Sequence, residues 1–410
     1  FRELGLDVQE DTFSVVGLGD MSGDVFGNAM LQSNKILLTA AFNHLHIFID
    51  PYPTDPEASF RERQRLFDLP RSSWADYNQQ LISEGGGIFE RTGKSIKITP
   101  QMQERFGISE SQLTPTQLIS ALLKAPVDLI WNGGIGTYVK GSNESHADVG
   151  DKANDSVRVN GNELRAKVVG EGGNLGFTQL GRTEAAKVGV KINADFIDNA
   201  GGVNCSDHEV NIKILLQDVV AQGLLNQDER NQLLEAMTDE VARLVLRDNY
   251  TQSQALSLAY LASQENLGPF QHLIQQLEAK GELNRNLEFL PSDAELNLKA
   301  SSKEGLTRPE LAVLLAYTKA DIKNQLLATS LPQDPWLAKE AERALPQILV
   351  EKYAKQLSQH RLKNEMLATK LVNQLVDQLG LTLVHQLQAT NGYSIAQIVR
   401  AYIMLRELLN

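Results

Sequence analysis

Several short stretches of this sequence carry residues whose types and spacing can hold a small anionic ligand. The first is VVGLGDMSGDVFGN at residues 15–28. An apolar run leads into Gly17 and Gly19, which allow a tight turn and let a pyrophosphate approach backbone N–H groups closely. Asp20, Met21 and Ser22 complete that turn. In the usual dinucleotide fingerprint the position of Ser22 carries a third glycine, and here Gly23 comes one residue later. Serine is still small enough for the following helix to pack on the strand, and Gly23 and Gly27 share one helix face. A packing turn that binds nothing accounts for the same residues, so the stretch alone leaves both readings open.

A dinucleotide site also needs a polar residue after the second strand to hydrogen-bond the adenosine ribose. AAFN at residues 40–43 places Asn43 there; Asp50 in HIFIDP, one extended segment further on, is the alternative. VVGEGGN at residues 168–174 sets Asn174 after a strand and two glycines, where its amide can reach a nicotinamide or its ribose. In DNAGGVNCSD at residues 198–207, Gly201 and Gly202 follow Asn199 and are expected to turn the backbone at the carboxyl end of the sheet, where open α/β sheets bind ligands. Ser206 is then expected to begin a helix whose free N–H groups and hydroxyl can hold a carboxylate. The same residues, SDHE, are also a capping box.

Other features carry less. His44 and His46 are two apart with no third ligand cluster, so no metal site is expected. SEGGGIFERTGK at residues 83–94 lacks the order of a phosphate loop and reads as a flexible loop. Cys205 has no base beside it and reads as a small buried residue.

Such residues must be held by a buried sheet. Apolar runs at residues 13–17 (FSVVG), 35–43 (KILLTAAFN), 126–134 (PVDLIWNGG), 166–174 (AKVVGEGGN) and 190–198 (VKINADFID) suit strands covered on both faces. Helical stretches separate several of them. The expectation is an α/β Rossmann-like doubly wound sheet over residues 1–211, followed by an all-α helical domain over 212–410. The second half shows helix starts instead of strands: the capping boxes TRPE at Thr307 and SIAQ at Ser394, and the cap-plus-proline pair Asp334–Pro335. A helix such as EVNIKILLQDVV can straddle the boundary. The polar stretch at residues 142–156 reads as an exposed connection.

Composition narrows the class. A net charge of −12 without any basic block argues against a nucleic-acid surface. One cysteine excludes a disulfide framework and suits a reducing cytoplasm. No apolar run has membrane-spanning length, so no membrane partner is expected. The opening FRELG reads as the last turn of a helix capped by Gly5, and the chain is expected to be a piece of a longer polypeptide.

VVGEGGNLGFTQLGRTEAA (168–186) and DFIDNAGGVNCSDHEVNIKI (195–214), with GDMSGDVFGN, ESHADVGDKAND and SDHEVNIKILL, resemble the large, NAD-dependent bacterial glutamate dehydrogenases. The resemblance covers residues 1–215 and implies an NAD-binding domain that presents the nicotinamide to L-glutamate, yielding 2-oxoglutarate and ammonia. It implies that Ser206, three past the valine of the N-A-G-G-V segment, contacts the substrate's side-chain carboxylate. It also makes Asn132 and Gly133 of WNGGIGTY candidates beside the nicotinamide. The family's catalytic lysines and aspartate are expected upstream of residue 1, so no catalytic residue is assigned within this chain. A homo-oligomer is expected. The alternatives are a leucine, phenylalanine or valine dehydrogenase of the same superfamily, or a non-catalytic nucleotide-sensing module.

Overall fold

Side-chain alternation builds the central sheet. In β1 (Phe13–Leu18), Phe13 and Val15 enter one apolar core while Val16 and Leu18 enter another, so both faces of the strand are covered. The structure, a computed structural model, describes residues 1–19 and 29–409. β1 is flanked by β2 (Ile36–Phe42), which continues into β3 (His46–Ile49) and β4 (Gly87–Glu90). On its other side lie β7 (Leu129–Asn132) and β10 (Val168–Glu171), giving the order β10-β7-β1-β2-β3-β4. Two short ladders, β5 (Ile96–Lys97) with β6 (Gln112–Leu113) and β8 (Val139–Lys140) with β9 (Val159–Asn160), complete the strands.

The sheet is mixed. β10, β7, β1 and β2 run parallel, whereas the β2–β3 and β3–β4 pairs are antiparallel. Helix Pro56–Asp68 sends Leu66 into the core on the Val15 face. Helices Pro115–Leu123 and Gln179–Lys187 send Leu118, Leu122 and Ala185 into the core on the Val16 face. Helices therefore cover both faces, as a parallel sheet requires.

Three expectations change here. Residues 190–198 do not form a strand: Lys191 makes one isolated bridge to Val168, and the chain then enters the short helix Asp195–Asp198. Residues 83–94 contain β4, which pairs with β3 over His46–Ile49, so the segment is a sheet edge and not a free loop. The compact units are Phe1–Asn199 and Ala200–Asn410. The division expected at residue 211 falls inside the helix Ala200–Ala221, whose first residue opens the second compact unit.

Among the described residues of 200–410, every regular element is helical. The boxes at Thr307 and Ser394 form as their sequences require: the Thr307 hydroxyl donates to Glu310 at 2.8 Å, and Gln397 N donates to the Ser394 hydroxyl at 3.3 Å. Ile212, Leu216, Leu349 and Tyr353 form one core of this unit. None of the described helices is long and apolar enough to cross a membrane.

Candidate functional site

The carboxyl ends of the parallel strands converge on a cradle of backbone. β1 ends at Leu18, and its carbonyl accepts from Gly133 N at 2.9 Å. Gly133 follows β7, whose last residue, Asn132, accepts at its own carbonyl from Gly173 N at 2.9 Å. Gly19 N donates to Phe42 O at the end of β2, also at 2.9 Å. Three loop starts and the end of β2 are thus laced together by main-chain bonds between parallel neighbours.

Glycine is required here by close approach. Gly19 adopts φ of 128°, a conformation that side-chain-bearing residues avoid. A Cβ on Gly134 would sit 3.3 Å from Gly19 N and Cα, and one on Gly173 would sit 2.8 Å from the Gly134 carbonyl oxygen. A Cβ on Gly176 would overlap Asn132 Nδ2 at 1.5 Å.

The residues singled out from sequence do not all fall in one place. Gly19, Asn132, Gly133, Asn174 and Asn199 come together at this cradle. Gly17 is nearby but lies inside β1, paired with Ala41 and Trp131, so the turn begins at Gly19. Asn174 and Asn199 are bonded to each other, with Asn199 Nδ2 donating to Asn174 Oδ1 at 2.5 Å. Asn132 is fully buried, and neither its Oδ1 nor its Nδ2 has a hydrogen-bond partner. An unpaired buried amide costs about 1–3 kcal/mol, a penalty that a ligand group reaching it would relieve. Asp20, Met21 and Ser22 lie outside the described residues.

Asn43 stands at the end of β2 as expected, but its side chain has local work. Asn43 Oδ1 accepts from Leu45 N at 2.8 Å and His46 N at 2.7 Å, closing the turn into β3. Because β3 runs back antiparallel, Asp50 returns to Thr39, about 10 Å short of the carboxyl end of β2 at ~3.3 Å per residue. Asp50 is buried there and accepts from the Ser83 hydroxyl and backbone, and burial raises its pKa. The polar residue at the second strand is therefore Asn43. Sequence reading missed Arg91, whose Nη1 donates to Asn43 O at 2.8 Å and which reaches this turn from β4.

Ser206 requires a correction. It sits in the second turn of the continuous helix Ala200–Ala221, not at a helix start, and its hydroxyl donates to Gly202 O at 3.1 Å. Gly201 and Gly202 are helical as well, so they do not turn the chain. The reason is that Asn199 ends one short helix and the next begins at once, so the N–H groups of Ser206 and its neighbours bond within the helix.

A buried charge cluster beneath the cradle was also missed. Glu171 closes β10 with no exposed surface, and Arg182 grips its carboxylate at 2.7 and 3.0 Å. Arg182 also pairs with Asp195 at 3.1 Å. Burial pushes the Glu171 pKa up to about 7; Arg182 opposes the shift while Asp195 and Asp198 add to it. The acid in GEGG was the visible signal, but its partners lie eleven and more residues away.

The helical unit contains a cavity of about 1300 Å³ lined by residues such as Arg243, Arg343, Leu383 and Tyr402. Among the described residues, none of the candidate binding residues named from sequence lines it.

The family described as bacterial NAD-glutamate dehydrogenase, catalytic domain, matches residues 1–259. The family described as glutamate dehydrogenase, C-terminal, matches residues 303–410. The chain is 59% identical over 407 residues to the NAD-specific glutamate dehydrogenase of Halomonas elongata, covering 99% of this chain and 25% of that protein. It is 58% identical over 410 residues to the protein of the same name from Pseudomonas aeruginosa, covering 100% of this chain and 25% of that one. The Mycobacterium tuberculosis protein of that name is 49% identical over 409 residues, 98% of this chain. The chain spans about a quarter of the length of these relatives.

Proposed function

This chain belongs to the bacterial NAD-glutamate dehydrogenase family, and from that premise we propose that it binds NAD at the cradle and forms the cofactor-holding part of an enzyme that oxidatively deaminates L-glutamate. The observation that carries the cofactor reading is the laced set of glycine loops at the ends of β1, β7 and β10, above an Asn132 amide with no partner. We read the parallel order β10-β7-β1-β2, covered by helices on both faces, as a Rossmann-like doubly wound sheet.

In that fold the pyrophosphate lies over the turn after β1, the adenosine half lies toward β2, and the nicotinamide half lies toward β7 and β10. Asn43 then stands beside the adenosine ribose, and Asn174 and Asn199 stand beside the nicotinamide. NAD is favoured over NADP because HLHIFID carries no Lys or Arg; Arg91, which reaches the turn from β4, already donates to Asn43 O.

Bound NAD supplies a hydride acceptor for the Cα–H of glutamate. The products are 2-oxoglutarate, ammonia and NADH, with water entering and a proton leaving. The loops at residues 17–19, 132–136 and 171–176 contain no lysine to activate that water. We assign the proton chemistry to residues outside these 410, and the substrate's side-chain carboxylate to Ser206 on the family pattern of N-A-G-G-V followed by serine.

The test is a calorimetric titration of the 410-residue chain with NADH and NADPH at pH 8, alongside a glutamate turnover assay. The expected result is NADH binding tighter than NADPH binding, without turnover. No NADH binding by a folded chain refutes the cofactor assignment, and steady turnover refutes the division of chemistry.

A further inference from the structure

Leu175 holds φ of 58°, a left-handed conformation that costs a side-chain-bearing residue about 1 kcal/mol or more. Leu175 is 66% exposed, so burial of the residue does not hold it there. Hydrogen bonds to the loop backbone do. Leu175 N donates to Asp195 Oδ2 at 2.8 Å, the Thr137 hydroxyl donates to Leu175 O at 2.7 Å, and Tyr138 N donates to Gly176 O at 2.8 Å.

The acceptor for the first of these bonds is itself fixed. Asp195 Oδ1 faces Arg182 Nη2 at 3.1 Å, and that same Nη2, with Nε, donates to the two Glu171 oxygens. Glu171 N donates to Asp198 Oδ2 at 3.0 Å, tying the end of β10 to the short helix that carries Asp195. The side chains of Glu171, Arg182 and Asp195 are at most 10% exposed. Buried ion pairs of this kind are weak sources of net stability but strong constraints on geometry.

We propose that Arg182 and Asp195 are positioning residues for the nicotinamide half of the dinucleotide: Arg182, anchored on Glu171, aims Asp195 at the Leu175 N–H and so holds the left-handed turn that presents Asn174. The proposal rests on the dinucleotide reading of the cradle. Neither residue touches the cofactor in this scheme; both act through the backbone of residues 174–176. A glycine at 175 adopts the same φ without an anchor, which makes the assignment separable from a general folding role.

The experiment uses the full-length enzyme, measuring NADH and ADP dissociation constants and the melting temperature. ADP reports on the β1–β2 half only. Asp195→Ala is expected to weaken NADH binding about tenfold while ADP binding stays within about twofold. Leu175→Gly alone should bind NADH nearly as wild type, and Leu175→Gly combined with Asp195→Ala should recover most of the loss. Arg182→Lys keeps the charge but gives up the bidentate grip, and should show a smaller loss of the same kind. If Asp195→Ala does not fold, Arg182→Lys and Leu175→Gly with Asp195→Asn decide in its place. Unchanged NADH affinity in folded variants overturns the proposal, as does an equal loss of NADH and ADP that Leu175→Gly fails to rescue. A wild-type enzyme that binds neither ligand overturns the dinucleotide reading itself, a result distinct from failure of the variants alone.

Discussion

Single residues carry the sharpest consequences. Ser206 was expected as a helix cap, and caps replaced by alanine cost about 1 kcal/mol. Its actual place in the second turn of a helix reverses that expectation, because alanine is the better helix former by a few tenths of a kcal/mol or more. In the full-length enzyme, Ser206→Ala should leave the melting temperature unchanged or slightly raised. If the hydroxyl serves the substrate carboxylate, the KM for glutamate should rise roughly 10- to 150-fold, corresponding to about 1.5–3 kcal/mol for a charge-assisted donor. Discrimination against norvaline should fall with it. Steady-state kinetics on both amino acids decide this, and an unchanged ratio removes Ser206 from the pocket. Glu171 makes a pH prediction. Its folded pKa, raised to about 7 by burial, lies above its usual value of 4.5, so the folded state binds the extra proton between those values. Its contribution to stability is therefore present below about pH 4.5 and lost as pH rises to about 7. Thermal melts of Glu171→Gln between pH 5 and 8 should show a flatter profile than wild type over that window.

At the scale of elements, two glycines with similar sequence surroundings should behave in opposite ways. Gly173 starts the loop after β10, and a Cβ there would press on the Gly134 carbonyl at 2.8 Å. Backbone cannot step aside as a side chain can. Gly173→Ala should therefore weaken NADH binding by more than tenfold and lower the melting temperature. Gly202 lies in a helix with nothing within 4 Å of its ideal Cβ. Gly202→Ala should stabilise the chain by about 0.5–1 kcal/mol, the ordinary gain for glycine to alanine in a helix. Chemical denaturation of the two variants, with NADH titration of the first, checks the pair. Equal effects from both would mean that the cradle's close contacts are not what requires glycine there.

For the molecule as a whole, both compact units combine apolar cores with buried polar junctions. The α/β unit is built on strands covered on both faces, while the helical unit relies on helix packing and on polar junctions between helices. The clearest junction is Asp321, which accepts from Lys280 at 2.9 Å and pairs with His385 at 2.7 Å, joining residues from three helical segments. Burial alone would raise its pKa, but His385 and Lys280 outweigh burial and bring it to about 2. The depressed value means that this contribution is complete above about pH 4 and is lost as pH falls toward 2. Asp321→Asn should cost about 2 kcal/mol or more at pH 7, because it leaves His385 and Lys280 without their charged partner. Denaturant unfolding at pH 7 and pH 3 measures it, and the difference between variant and wild type should shrink at the lower pH.

Four of the five expected strands were legible because a strand covered on both faces must be mostly apolar, and β1, β2, β7 and β10 are written that way. The capping boxes at Thr307 and Ser394 were legible because both partners lie within four residues. Asn132, Asn174 and Asn199, candidates from the glycines beside them and from the resemblance those segments carry, lie together where β7 and β10 end. Residues 190–198 failed because Val190, Ile192 and Ala194 are buried like strand residues, yet the chain makes only one bridge there before turning helical. Placing Asn43 rather than Asp50 at the carboxyl end of β2 needed the antiparallel return of β3 along β2, which pairs Phe42 with Ile47 and Ala40 with Ile49. Ser206 was misplaced because a local cap pattern says where a helix can begin, not whether the preceding AGGV is already helical. Glu171 was visible in GEGG, but its pairing with Arg182 and Asp195 was not: charged residues at ordinary spacing become a buried network only when a strand end, a helix and a short turn are brought to one point.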